Sequence, residues 1–109
     1  MKNLIARAIL GAFLLHSLAW AQASPKITGI APETAKVGTS VTVNGENLGK
    51  DVVRAVFFSD DAKDYKAEVS EQSATKVVVK IPELKAGPYN ISVQVGDNIF
   101  IQPVRMTVE

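Results

Sequence analysis

Tyr89-Asn90-Ile91-Ser92-Val93-Gln94-Val95 places an apolar side chain at every second position and a polar one between, with Ala86-Gly87-Pro88 before it and Gly96-Asp97-Asn98 after it. A period of two is what a strand needs to bury one face and wet the other. The same rhythm recurs on both sides of this run. Val41 and Val43 alternate with Thr42 and Asn44; Val77, Val79 and Ile81 alternate with Val78 and Lys80; Val104, Met106 and Val108 enclose Arg105 and Thr107. Each in-phase set is expected to point into one core.

Turn chemistry separates the runs at short intervals: Ala31-Pro32-Glu33, Val37-Gly38, Asn44-Gly45, Leu48-Gly49 and Ile81-Pro82. Several short alternating strands with such punctuation read as an all-β sandwich of about seven strands, mostly antiparallel. Between Asp60 and Glu71 the only regular apolar spacing is Tyr65, Ala67, Val69, so that stretch reads as a polar turn followed by an edge strand. No segment from Lys26 onward carries a capped helical period.

The N-terminus reads differently. Lys2 and Arg7 precede an apolar stretch from Ala8 to Leu15, then the small-residue run Ala19, Trp20, Ala21, Gln22, Ala23. A positive start, a short apolar helix and an A-x-A site are the parts of a secretory signal peptide. Residues 1–23 are therefore expected to be that leader and residues 24–109 the domain, with the new N-terminus at Gln22 or Ser24. The apolar stretch is shorter than the roughly 20 residues of a spanning helix, and His16 interrupts it, so no membrane span is expected after cleavage.

Removing 23 of the 109 residues leaves 86, with ten basic side chains facing eleven acidic ones. A near-neutral surface of mixed sign does not suit a phosphate backbone, so nucleic acid is not an expected partner. A chain of this size buries about 60 to 65% of its unfolded surface. With no cysteine, its stability has to come from packing alone. The expected location is the periplasm or the extracellular space.

Once the leader is cleaved, no histidine remains either, which removes His-based triads, thiol nucleophiles and the usual zinc ligands. No enzymatic activity and no cofactor are expected. Asp60, Asp61 and Asp64 form the one carboxylate cluster. Their spacing lacks the glycine turn and closing bidentate Glu of a calcium loop, and Lys63 and Lys66 sit among them, so a solvated loop is the expected reading. Asn90-Ile91-Ser92 matches a glycosylation acceptor but lies inside an expected strand.

Two segments carry a family resemblance. The first runs Ile27-Thr28-Gly29-Ile30-Ala31-Pro32 and continues through Val37-Gly38-Thr39-Ser40-Val41-Thr42-Val43-Asn44-Gly45-Glu46-Asn47-Leu48; the second is Ala86-Gly87-Pro88-Tyr89-Asn90-Ile91-Ser92-Val93. Together they resemble the IPT/TIG family of immunoglobulin-like domains, over Lys26 to Val108. Pro32 ends a first strand at an edge. Gly38 supplies a turn and Gly45 a bulge, while Asn47 caps a turn that lets Leu48 fold onto the core. Tyr89 stands where such sandwiches place a corner tyrosine, and plain core packing is the other reading.

The chain departs from the family at Glu33-Thr34-Ala35-Lys36, which stands in place of a Ser-Gly pair. It departs again at Leu48, in place of an aromatic, and at Ser59 to Asp64, in place of a short Gly-Gly turn.

The resemblance implies an exported interaction module that binds a protein or a cell-envelope component, with a carbohydrate-binding module as the alternative. Three aromatic side chains are the candidate contacts. Phe57 is out of phase with Val56 and Phe58 and so belongs on the outer face, covered or in a contact patch. Tyr65 lies on the expected edge strand, and with Phe57 it would make a sugar platform if both were exposed on one face. Phe100 opposes Ile99 and Ile101 in phase, so it is covered by a loop or open to a partner.

Overall fold

The computed structural model describes residues 24–109; the expected leader, residues 1–23, lies outside the described residues. The described chain forms nine strands: β1 (Lys26–Ala31), β2 (Thr34–Ala35), β3 (Ser40–Glu46), β4 (Ala55–Ser59), β5 (Asp64–Lys66), β6 (Glu68–Gln72), β7 (Lys76–Lys80), β8 (Gly87–Val95) and β9 (Asn98–Val108). They lie in two sheets, a four-stranded one ordered β1-β3-β7-β6 and a five-stranded one ordered β2-β9-β8-β4-β5. The architecture is the expected all-β sandwich. All pairings are antiparallel except the two-residue pairing of β2 with β9.

The alternating residues meet where their phase sends them. Val41, Val43, Val77 and Val79 of the smaller sheet face Val56, Phe58, Ile91, Val93 and Met106 of the larger, all buried in one cluster. Burying a side chain of this size is worth about 1.5–3 kcal/mol. Leu48 joins them with no exposed surface. Asn47, at φ 56°, turns the chain and donates its side-chain amide to the Ser24 carbonyl.

Nine strands rather than seven arise because two extended segments each change sheets and so count twice. β1 and β2 are one such segment, broken at the cis Ala31–Pro32 bond, where Pro32 has no N–H to continue the first ladder. β5 and β6 are the other, and the single edge strand expected there is a correction to make. Asp64 to Lys66 pairs with β4 in the larger sheet, whereas Glu68 to Gln72 pairs with β7 in the smaller. Ala67 is the crossing point. Its side chain is buried, and its N–H still reaches the Val56 carbonyl at 2.9 Å.

The bulge expected at Gly45 also moves. The register slips on the partner strand, between Ile27 and Gly29 of β1, while Gly45 itself stays in the ladder. Glycine is needed at 45 because β1 approaches so closely that a Cβ there would overlap the Lys26 carbonyl. Gly38, at φ 87°, does supply the expected turn.

Candidate interaction surface

β8 and β9 form a long hairpin closed by the two-residue loop Gly96-Asp97, with Gly96 at φ 61°. A positive φ at the first loop residue fits the tight hairpin turns that match strand twist. Arg54, just before β4, reaches this tip, donating to the Gly96 carbonyl at 3.0 Å and lying 3.6 Å from the Asp97 carboxylate. These contacts link the tip to the segment that enters β4.

Ile99, Phe100 and Ile101, which follow the tip on β9, are exposed by 41%, 48% and 66%. They are the large hydrophobic side chains left open among the described residues. Their partners define their faces. Ile99 lies opposite Gln94 and Ile101 opposite Ser92, on the outer face of the larger sheet, while Phe100 lies opposite Val93 and turns to the inner side. Phe100 stays half-exposed on that side although its partner Val93 is buried in the core, because β9 lies outside β8, toward the flank of the sandwich. It borders a hollow of about 380 Å³ shared with Ser24, Pro25, Val95, Ile101 and Gln102.

Past Ile101 the strand is irregular. Ser92 pairs with Ile101 and Asn90 with Arg105, so one β8 residue, Ile91, faces three on β9. The Asn90 side chain fills the gap by donating to the Gln102 carbonyl at 3.0 Å, and the Gln102 side chain accepts from the Ile27 N–H at 3.2 Å. The bulge adds two residues, an even number, so Phe100 and Met106 stay on the same side of the sheet.

Phe57 sits on the outer face, as its phase required, but it is only 9% exposed. It flanks Ser92 on one side as Ile101 does on the other. As an exposed contact it has to be corrected: its ring is covered, and it contributes only to the floor beside Ile101. Tyr65 is half-buried and turned inward, packing on the core cluster. Its ring meets that of Tyr89 edge to face, with centroids 6.2 Å apart, and Lys63 lies over it at 5.5 Å. Phe57 and Tyr65 therefore point to opposite sides of the sheet, and no shared platform forms.

The acidic loop is organised by its own carboxylates. Asp60 accepts from the Ala62 and Lys63 amides at 2.9 and 2.8 Å, an Asx turn. Asp64 accepts from the Ser59 hydroxyl, which also bonds that of buried Ser92 at 2.8 Å. Among the described residues no three acidic side chains converge as metal ligands.

Tyr89 combines both of its expected roles. The ring is buried, and its hydroxyl donates to the Lys85 carbonyl at 2.8 Å. Burial pushes its pKa above the usual 10.0, with the Asp60 charge adding to the effect. A residue that sequence reasoning missed is Gln72, whose side-chain amide donates to the Leu48 and Val53 carbonyls at 2.8 and 3.0 Å and pins the loop between β3 and β4.

The IPT/TIG domain model matches residues 25–108. A cyclomaltodextrin glucanotransferase of Bacillus sp. (strain 1-1) is 34% identical over 76 residues, which are 70% of this chain and 10% of that protein. The chain thus spans about a tenth of that relative's length. Among solved structures, the gamma-cyclodextrin glucanotransferase of alkalophilic Bacillus clarkii superposes with a TM-score of 0.58 at 26% identity, over 74% of this chain and 12% of that one. A Bacteroides thetaiotaomicron protein of unknown function superposes with a TM-score of 0.68 at 22% identity, over 78% of this chain and 22% of that one, and shares the fold.

Proposed function

Because the chain belongs to the IPT/TIG domain family, over residues 25–108, we propose that it is a non-catalytic interaction module that docks onto a protein or cell-envelope component through the β8–β9 hairpin. One observation carries this reading: Ile99, Phe100 and Ile101 stand exposed in succession, on both faces of the β8–β9 hairpin. An apolar cluster kept in water is a marker of contact. The leader-like segment at residues 1–23 supports export, which would present this surface to extracytoplasmic partners.

The test is Phe100→Asp. With nearly half of its surface in solvent, Phe100 contributes little to the core, so the variant should stay folded. As bait in envelope extract it should lose the partner that the unaltered chain captures. Full capture by the variant, or its unfolding, sinks this reading.

Carbohydrate is the second reading, and it rests on the likeness to cyclomaltodextrin glucanotransferases. It ranks lower because stacking on sugars needs coplanar exposed rings, and Phe57 is covered while Tyr65 turns inward. Titration with a cyclomaltodextrin, followed by tyrosine fluorescence and calorimetry, separates the two readings.

A further inference from the structure

Strand β9 has two edges, and only one of them is fully used. Its inner edge pairs with β8 along nearly its whole length, whereas on the other edge β2 covers only Thr107 and Val108. Among the described residues no strand pairs with the outer edge of β9 from Asn98 to Arg105. An open strand edge is a template for another strand unless it is guarded.

Two other edges of this sandwich carry charge within the strand itself: β5 has Asp64 and Lys66, and β6 has Glu68 and Glu71. The outer edge of β9 differs: from Asn98 through Val104 it holds no charged residue. Its first proline, Pro103, comes only after the apolar triplet.

Hydrogen-bond parity shows which peptide groups are free. The Gln94 carbonyl accepts from the Arg54 N–H, so Gln94 and Ser92 turn their peptide groups toward β4. Val93 then turns its own toward β9, which makes Val93–Phe100 the hydrogen-bonded pair. The N–H and C=O groups of Ile99 and Ile101 consequently point outward, to the unpaired side.

We propose that this edge pairs with the same edge of a second copy of the chain, antiparallel about a two-fold axis through Phe100. The inference rests on reading the hairpin as a docking surface, and it names one occupant of it. In this register Ile99 of one copy faces Ile101 of the other, so all four outward-pointing N–H groups and carbonyls at each pair find partners. Phe100 faces its own counterpart in the closely spaced, non-hydrogen-bonded position. A self-pair places like residues together, which an uncharged segment tolerates and the charged edges of β5 and β6 do not.

The hollow of about 380 Å³ bordered by Phe100 and Ile101 lies along the segment that would pair. On the outer face, pairing would bring the two Ile99–Ile101–Phe57 floors side by side, presenting a partner with one surface of twice the width.

A cysteine-free chain makes the test clean. Cα atoms across a non-hydrogen-bonded pair lie within disulfide reach. Phe100→Cys should therefore form a covalent dimer on mild oxidation, at concentrations where Ser70→Cys, on the exposed β6, stays monomeric. Sedimentation of the purified unaltered chain should show a monomer–dimer equilibrium with a dissociation constant of roughly 1–100 μM. Ile99→Pro removes one outward N–H without touching the β8 ladder, so it should weaken that dimer at least tenfold at unchanged melting temperature.

An unaltered chain that remains monomeric at about 1 mM, or equal cross-linking of the two cysteine variants, overturns the self-pairing. A monomeric chain whose Phe100→Asp variant still loses its envelope partner sinks the self-pair alone and leaves the docking surface standing. A dimer blocked by Ile99→Pro, with capture unaffected by Phe100→Asp, supports the self-pair and removes the docking reading instead.

Discussion

The Tyr89 hydroxyl donates to the main-chain carbonyl of Lys85, four residues back, at 2.8 Å. This bond anchors the loop that enters β8, the strand that both closes the core and carries the hairpin. Tyr89→Phe keeps the ring and removes the donor, so urea unfolding should show a loss of about 1–2 kcal/mol. Loss of less than a few tenths would mean that ring packing alone fixes the corner.

The same group makes stability depend on alkaline pH. Burial raises its pKa above 10.0 in the folded chain, so between that value and the folded pKa the unfolded chain gives up a proton that the folded chain keeps. Stability is fully present below pH 10 and falls as pH rises through the folded pKa. Denaturant midpoints measured upward from pH 9 should bend down near pH 10, and this bend should shrink in Tyr89→Phe.

Gly45→Ala would drive a Cβ into the Lys26 carbonyl. The strands β1 and β3 would have to part, and the expected cost is about 2–3 kcal/mol. Gly96→Ala meets open space and suffers only from its φ of 61°, for about 1 kcal/mol. Equal melting temperatures for the two variants would contradict the close approach.

Asp60 spends its carboxylate on two loop amides, so the loop should hold its shape without metal. Calorimetry with calcium is expected to give no micromolar binding, and Asp60→Ala should cost about 1 kcal/mol. Micromolar affinity lost in Asp61→Asn would show that the acids serve a cation after all.

The leader-like segment predicts a mature N-terminus at Gln22 or Ser24, checked by intact mass of the exported protein. A species that retains Met1 or Lys2 would remove export from the argument.

Period-two runs make the sandwich legible in the sequence alone, because Val41, Val77, Ile91 and Met106 sit in strands with one dry face. The crossing at Ala67 was not legible, since one small buried residue interrupts no pattern. Nor was the cover over Phe57. Its phase shows that it faces outward, but its burial depends on neighbours that register brings in from β8. Gln72 escaped notice for a related reason: a polar residue at a strand end looks solvated until the carbonyls it reaches are known. Phe100 could be read further, because three large apolar residues in a row cannot all face one core.

Both segments that change sheets, Lys26 to Ala35 and Asp64 to Gln72, run along opposite flanks of the sandwich. A book bound along both long sides cannot be opened at either. The two layers cannot hinge apart to admit a guest without first tearing a ladder at one of these seams, such as the Ala67-to-Val56 bond. A partner of the kind proposed would therefore have to dock on the outer faces and open edges of the sandwich, because neither seam parts to let it between the layers.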